Sequence, residues 1–376
     1  MLQKFKVRYF AGFDKEITLD LSNPKNYGFN PSCISDDGTI RAAVVHGING
    51  VGKSNLGLAI FDIFRNITDL PCENNVPRPP YLCADRPKGV EAADFEYTFK
   101  FGDNIVVYRY SKQDLNNIVY ESLSIDGKMV VVFDRSNGNT QFSTLLKGTE
   151  FLNTNLSSPQ VSVLKYIKSN TERPDTPQNR AFNSLFTFTE KMLFYKCLDY
   201  RAFIAEPPKQ NNLMLELIEA DAVKEFENFL RKASINTSLK VKGEGNQRKI
   251  YNVYGRESYP LESVMSTGTD SLMLFFCWLL RIRQKGVSLL FIDEFDAFYY
   301  FKLSRHIIAL LRDIPGLQFI LTTHNPATIS NSLLRPDCYF IMDRQRLASL
   351  AYRTPKELRE AHNTEKMYKA DAFSSQ

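Results

Sequence analysis

The chain has 376 residues, of which 43% are hydrophobic and 24% charged, with a formal net charge of +5. These values are typical of a globular protein with one large domain or two to three smaller ones. No apolar run reaches membrane-spanning length and the amino terminus lacks a signal-peptide core, so we expect no membrane contact and a cytoplasmic location. The six scattered cysteines exclude an obvious zinc site or disulfide framework. The mild positive charge permits DNA contact without arguing for it.

The amino-terminal third contains short alternating segments. Residues Leu2–Leu21 alternate apolar and polar side chains around a central turn, which predicts a β-hairpin. Four later segments with turn residues between them predict an antiparallel meander: Asp94–Phe101, Asn104–Tyr110, Ile118–Ile125 and Met129–Phe133. Between hairpin and meander, Arg41–His46 is a short apolar run of the kind that forms a buried strand.

The stretch Gly47–Ser54 follows that run and fits the pattern G-x-x-x-x-G-K-[ST]. Apolar residues at helical spacing follow in Asn55–Phe64, so the order strand, glycine loop, helix is complete. In such a P-loop, backbone N–H groups and the lysine hold nucleotide phosphates, and the final hydroxyl binds Mg²⁺. The residues expected to contact the nucleotide are Asn49, Gly50, Gly52, Lys53, Ser54 and Asn55.

The rest of the chain changes periodicity twice. Residues 158–229 show helical spacing, and no apolar heptad persists long enough for a coiled coil. In the last third, predicted helices and strands alternate as in a parallel α/β sheet. They are Asp270–Arg283 (helix), Val287–Ile292 (strand), Leu303–Arg312 (helix) and Leu317–Thr322 (strand).

Two carboxylates, Asp293 and Glu294, end the apolar strand Val287–Ile292. Mg²⁺ bound to phosphates needs a carboxylate in its shell, and hydrolysis needs a base beside the attacking water. This Walker B arrangement assigns the metal to Asp293, with Ser54, and the base to Glu294.

Two further features accompany these motifs. His324 follows the next predicted strand, where it can position the terminal phosphoryl group. Ser266 and Gly268 precede a helix, so they either present backbone N–H groups to an anion or form an ordinary helix N-cap. Both interpretations stay open on composition alone.

The order of these motifs resembles the ABC-type ATPase heads of the SMC, RecF and OLD group. It is more similar to stand-alone AAA-family ATPases of bacterial anti-phage and abortive-infection systems. The resemblance covers residues 1–65 and 260–373. It implies an α/β fold: a P-loop NTPase head with a mixed or parallel sheet core, an antiparallel β-subdomain and a helical insertion lobe. The expected parts are an amino-terminal lobe (1–150), a mainly helical lobe (151–260) and a carboxy-terminal lobe (261–376).

The same resemblance implies that ATP and Mg²⁺ bind between two copies of the chain, in a homodimer or higher oligomer. Ser266 and Gly268 would then contact the γ-phosphate of the other subunit, and Asp296 would be the D-loop residue. His324 would be the switch histidine and act in catalysis with Lys53 and Glu294. No Q-loop glutamine is evident, because Glu96 and Tyr97 occupy the region where one is expected.

Two functions remain open on the sequence. The first is an ATPase that controls a separately encoded effector, a nuclease or toxin, in anti-phage defence, because the motor motifs are complete and no second catalytic centre is visible. The alternative is a RecF-like or SMC-like DNA-binding clamp in DNA repair.

Overall fold

The structure, a computed structural model, describes residues 1–70, 79–196, 203–204, 213–297, 301–344 and 346–374. The strands within these ranges are β1 (Leu2–Arg8), β2 (Ile17–Asp20), β3 (Ala42–His46), β4 (Ala93–Phe101), β5 (Asn104–Lys112), β6 (Ile118–Ile125), β7 (Lys128–Asp134), β8 (Ser143–Thr144), β9 (Met192–Lys196), β10 (Phe203–Ile204), β11 (Leu239–Lys242), β12 (Lys249–Tyr254), β13 (Glu257–Pro260), β14 (Leu289–Asp293), β15 (Gln318–Thr323), β16 (Tyr339–Met342) and β17 (Leu347–Ser349).

The helices within the same ranges are α1 (Lys53–Ile60), α2 (Asp62–Ile67), α3 (Val163–Asn170), α4 (Pro177–Glu190), α5 (Leu213–Glu219), α6 (Val223–Lys232), α7 (Leu261–Val264), α8 (Thr267–Lys285), α9 (Phe301–Arg312) and α10 (Thr364–Lys369). None of these described helices is long and apolar enough to cross a bilayer.

The first sheet is antiparallel and has the strand order β2-β1-β4-β5-β6-β7-β8. It confirms the predicted hairpin, because β1 pairs with β2, and the predicted meander, because β4 to β7 pair in sequence. Buried and partly exposed side chains alternate along β4, so one face packs on the core. The hydroxyl of Tyr97 on that face donates to the Ala59 carbonyl oxygen of α1 at 2.8 Å.

The second sheet has the order β10-β9-β14-β15-β3-β16-β17. Its five inner strands, from β9 to β16 in that order, are mutually parallel. Every residue of β3, β14 and β15 is buried, as expected when both faces of a parallel sheet are covered. The predicted alternation of helix and strand is therefore confirmed, and the carboxyl ends of these strands meet at one edge.

The helical spacing predicted for residues 158–229 does not describe β9, which is a strand beside β14 in the second sheet. A run of four apolar residues is too short for periodicity to separate a buried strand from a helix. Gly57 of α1 lets this part of the sheet pack closely, since a Cβ atom there would lie 2.5 Å from the ring of Phe291 and 2.7 Å from that of Phe194. All three predicted parts contribute strands to this sheet, and their boundaries stay a prediction.

The third sheet, β11-β12-β13, is a small antiparallel unit next to α5, α6 and α7. The buried carboxylate of Glu227 in α6 accepts a hydrogen bond from the Leu239 N–H at 2.7 Å and so joins this helix to β11. After β13 the chain runs through α7 into the long helix α8. Ser266, which directly precedes α8, therefore follows this sheet closely in the chain.

Candidate functional site

The loop between β3 and α1 has a shape that glycine permits. Gly50 and Gly52 adopt φ angles of +80° and +102°, in the left-handed region that other residues rarely enter. A Cβ atom at Gly52 would also lie 2.7 Å from the ring of Phe13. At Gly47, a Cβ atom would lie 2.5 Å from the Met342 carbonyl oxygen. The loop is therefore confined between the β1–β2 turn and the end of β16.

Lys53, the first residue of α1, is 5% exposed. Its ammonium donates to the carbonyl oxygens of Gly47 at 2.8 Å and Ile48 at 3.0 Å, and it lies 3.1 Å from Nδ1 of His324. Burial lowers the pKa of Lys53, and the charges of nearby carboxylates partly oppose that change. The lysine is thus a desolvated cation held mainly by neutral groups at the start of a helix, where the helix dipole also favours an anion.

Asp293 ends β14 and is completely buried. Its Oδ1 atom accepts a hydrogen bond from the Thr322 hydroxyl at 2.6 Å, and the same hydroxyl accepts from the Glu294 N–H at 2.8 Å. Its Oδ2 atom has no hydrogen-bond partner among the described residues. A buried carboxylate oxygen without a donor is costly unless a cation or water fills the position.

Glu294 has a φ angle of +51°, which is uncommon for a residue with a side chain. Backbone strain of this kind costs on the order of 1–3 kcal/mol and is concentrated at functional sites. The Glu294 carboxylate lies 3.3 Å from Nε2 of His324. Nδ1 of the same ring lies 3.1 Å from the Lys53 ammonium and 3.3 Å from the Gly47 carbonyl oxygen, so Nε2 is the ring nitrogen that faces Glu294. One imidazole therefore connects the lysine to the carboxylate.

A shell of threonines, which the sequence analysis did not single out, supports this site. The Thr323 hydroxyl donates to Asp296 at 2.7 Å and accepts from the Asn325 N–H at 2.9 Å. Burial raises the pKa of Asp296, and the hydrogen bonds from Thr323 and Asn325 oppose that shift. The signal was present in the sequence, since Thr322 and Thr323 are two polar residues directly after the apolar run 319–321 and before His324.

His46 was also missed, because it ends an apolar run and looks like part of a strand. It is fully buried directly before the loop, and its Nε2 atom lies 2.9 Å from the Thr328 hydroxyl. That hydroxyl donates to the Asn325 carbonyl oxygen at 2.8 Å, so it accepts from Nε2–H of His46. Burial lowers the pKa of His46 to about 3, which keeps the ring neutral. His46 thereby joins the loop to the segment after His324.

Ser266 is the N-cap of α8, and its hydroxyl accepts a hydrogen bond from the Thr269 N–H at 3.2 Å. The residue is exposed, Gly268 is partly exposed, and the other hydrogen bond of the Ser266 hydroxyl is with the Thr269 hydroxyl. The ordinary N-cap is therefore present. No hydrogen bond between described residues joins Ser266 to the Gly47–Ser54 loop of its own chain.

The remaining predicted residues divide into two groups. Asn49 is exposed at the tip of the loop, and Asn55 is partly buried in the first turn of α1. Glu96 and Tyr97 instead lie within β4, where Glu96 pairs with Arg109 at 2.5 Å. The region where a Q-loop was expected is thus a regular strand of the antiparallel sheet.

Solved structures with a similar fold include three head domains of SMC proteins. The first is the "SmcHead bound to the C-winged helix domain of ScpA", with a TM-score of 0.48 and 16% identity, covering 93% of this chain and 97% of that chain. The second is the SMC head domain from Thermotoga maritima, with a TM-score of 0.44 and 14% identity, covering 90% of this chain and 94% of that chain. The third is the Smc head domain with an extended coiled coil bound to the C-terminal domain of ScpA derived from Pyrococcus furiosus, with a TM-score of 0.44 and 14% identity, covering 93% of this chain and 96% of that chain.

Among curated proteins, no sequence matches the chain. Residues 42–330 match the family described as "AAA domain, putative AbiEii toxin, Type IV TA system". That range includes the glycine loop, Asp293, Glu294 and His324, and it spans more than half of the chain. The chain therefore belongs to this family of AAA domains, and its fold is a mixed α/β fold with a parallel core sheet and a separate antiparallel sheet.

Proposed function

We propose that the protein binds ATP with Mg²⁺ at this edge of the second sheet and hydrolyses it. The observation that carries the proposal is the contact series from Lys53 through His324 to Glu294, beside an Asp293 oxygen that has no hydrogen-bond partner among the described residues. Phosphoryl transfer to water needs a cation for the phosphates and a carboxylate near the nucleophile. The two ends of the contact series supply these groups.

The residues fit a magnesium ion. Mg²⁺ prefers oxygen ligands and usually binds through one or two protein groups together with substrate phosphates and water. The Oδ2 atom of Asp293 is a buried acceptor, and Ser54 lies in the first turn of α1. Among the described residues, no group of three or more His, Cys, Asp or Glu could form a larger metal site. The ion, when bound to Asp293 and Ser54, would neutralise phosphate charge.

The chain's own residues then have distinct roles. Lys53 exchanges its hydrogen bonds to the loop carbonyls for bonds to phosphate oxygens, which gives its desolvated charge a charged partner. Glu294 accepts the proton of the attacking water, while His324 orients the Glu294 carboxylate and contacts the terminal phosphoryl group. Thr322 fixes both Asp293 and Glu294 through one hydroxyl.

The proposal includes a nucleotide site completed by a second copy of the chain. Ser266 is exposed and has no hydrogen bond to its own loop among the described residues, and the loop residue Ile48 is 76% exposed. An exposed loop and an exposed helix start can meet when two copies face each other. Ser266 and Gly268 would then bind the terminal phosphate in trans.

The test is Glu294→Gln, with Glu91→Gln as the control because Glu91 is exposed and lies outside the site. Loss of the base is expected to reduce the ATPase rate at least 100-fold, while ATP binding measured by calorimetry stays intact. The variant should accumulate as an ATP-bound dimer in light scattering. Hydrolysis at the unmutated rate would show that Glu294 is not the base.

The biological output that we propose is control of a separately encoded effector, a nuclease or toxin, in cytoplasmic anti-phage defence. The family description, which names a toxin and a toxin–antitoxin system, supports the defence role, and the effector is our own inference. The experiment compares phage infection of cells that carry the gene and its neighbour with infection of cells carrying the Glu294→Gln form. Equal protection by both forms would contradict control by ATP hydrolysis.

A further inference from the structure

The third sheet, β11-β12-β13, has a basic face that the ATPase site does not use. The antiparallel register places Lys240 opposite Tyr251 and Lys242 opposite Lys249. Directly opposed residues in such a sheet point to the same side, so these four side chains share one face. All three lysines are exposed, and Tyr251 is partly exposed. We call this set the lysine face.

The opposite side of the same sheet is partly buried, with Val241, Tyr254 and Tyr259 exposed. Leu239 and Ile250, which belong to the other alternation of β11 and β12, are 8% and 0% exposed. Helices α5, α6 and α7 contact these strands. Leu239, Ile250 and the contacting helices therefore anchor the sheet, while the three lysines are exposed on the other side.

The charges on the lysine face are only partly compensated. Like charges directly opposite each other destabilise a sheet, and Lys242 opposes Lys249. Lys249 pairs with Glu262 at 2.7 Å, while Lys242 donates to the Ser258 hydroxyl. Lys240 has no hydrogen bond or ion pair with any residue that the structure describes. An anion bound across the face would relieve this repulsion.

The aromatic ring on the face indicates which polyanion fits. The Lys242 ammonium lies 4.9 Å from the centre of the Tyr251 ring, so a cation and a flat aromatic surface are adjacent. Proteins that bind single strands combine lysine contacts to phosphates with aromatic rings on which bases stack. Three strands spaced about 4.8 Å apart make a face roughly 10 Å wide, which suits one strand better than a duplex.

We propose that the lysine face binds single-stranded nucleic acid, with phosphates on the lysines and a base against Tyr251. This site is separate from the ATPase site and does not depend on the function proposed above. The lysine face lies close in sequence to Ser266, because β13 ends at Pro260 and α8 begins at Thr267, directly after Ser266.

The test measures binding of a fluorescein-labelled 20-nucleotide single strand to the full chain without nucleotide, by anisotropy over a series of salt concentrations. The triple variant Lys240→Ala/Lys242→Ala/Lys249→Ala should bind at least tenfold more weakly. Its slope of log K against log salt should be smaller by about 2, because each lost phosphate contact on a single strand contributes about 0.7. Tyr251→Ala should weaken binding at least fivefold without changing the slope.

The matched control is Lys88→Ala/Lys128→Ala/Lys147→Ala, which removes three exposed lysines elsewhere and causes the same change in net charge. It should bind within twofold of the unmutated chain. An equal loss in both triple variants would show general charge attraction and overturn the site. Absence of binding at 50 mM salt would also overturn it, as would duplex binding equal to single-strand binding with no effect of Tyr251→Ala. Circular dichroism of each variant verifies folding.

Discussion

Lys53 and Lys112 are both lysines removed from water, yet their surroundings have opposite character. The Lys112 ammonium, on β5, donates to the Asp62 carboxylate at 3.0 Å and to Asn66 at 2.9 Å, both on α2. The Lys53 ammonium is bonded to backbone carbonyl oxygens and one imidazole. A buried cation that is paired with a carboxylate is already neutralised and stabilises the core. A buried cation that is held by neutral groups can still bind an incoming anion. The difference separates a structural lysine from a binding one.

The largest expected effect comes from Lys112→Met. The substitution leaves the Asp62 carboxylate buried without its cation, so the free energy of unfolding should fall by about 3–5 kcal/mol in urea titrations. ATP binding by the folded protein should be unchanged. The double variant Lys112→Met/Asp62→Leu should recover much of the loss, because it removes both buried charges. Weak ATP binding by folded Lys112→Met would contradict the purely structural role.

Lys53→Met should behave in the opposite way. We expect ATP affinity to fall at least 100-fold, which is about 2.7 kcal/mol, because the phosphates lose their main cation. The free energy of unfolding of the nucleotide-free protein should stay equal or rise, since a desolvated charge is removed. Calorimetry and urea titration measure the two quantities. A stability loss as large as that of Lys112→Met would show that Lys53 is structural.

His46 differs from both lysines, because it is a buried base that stays uncharged. Its pKa is about 3 in the folded protein, against an ordinary value of 6.5. As the pH falls below 6.5, the His46 imidazole is protonated in the unfolded chain and stays neutral in the folded chain. The free energy of unfolding therefore decreases between pH 6.5 and 3. At pH 5 this loss amounts to about 2 kcal/mol. Between pH 7 and 5, the free energy of unfolding of His46→Gln should therefore fall by about 2 kcal/mol less than that of the unmutated protein in urea titrations. An identical fall in both proteins would contradict a neutral His46 in the folded state.

The smallest expected effect concerns Ser266, an exposed hydroxyl. Ser266→Ala should lower the free energy of unfolding by about 1 kcal/mol through loss of the helix cap, and Ser266→Asn should keep the cap. If Ser266 acts on the partner's nucleotide, both variants lose ATPase activity. Mixing Ser266→Asn with Lys53→Met should restore part of it, because a mixed dimer has one intact site. No recovery in a verified mixed dimer would exclude the action in trans.

Much of the fold could be predicted from local patterns. Alternation of side chains indicated the hairpin and the meander, and continuous apolar runs indicated β3, β14 and β15. The strand β9 could not be predicted in the same way, because Met192–Lys196 is short and follows the helix α4. Its identity as a strand depends on pairing with β14, about a hundred residues later in the chain. Pairing between segments so far apart produces no local pattern of apolar and polar residues from which a strand could be predicted.

The chemical groups of the site can be identified from the sequence alone: a glycine loop with Lys53, two carboxylates after an apolar strand, and His324 after another. Loops and strand ends of a parallel sheet meet at one edge, so these groups could be assigned to one site without coordinates. Their contacts follow from the tertiary fold, including the imidazole between Lys53 and Glu294 and the Asp293 oxygen without a hydrogen-bond partner among the described residues. Burial, hydrogen-bond partners and strain depend on residues far apart in the chain, so no local pattern encodes them.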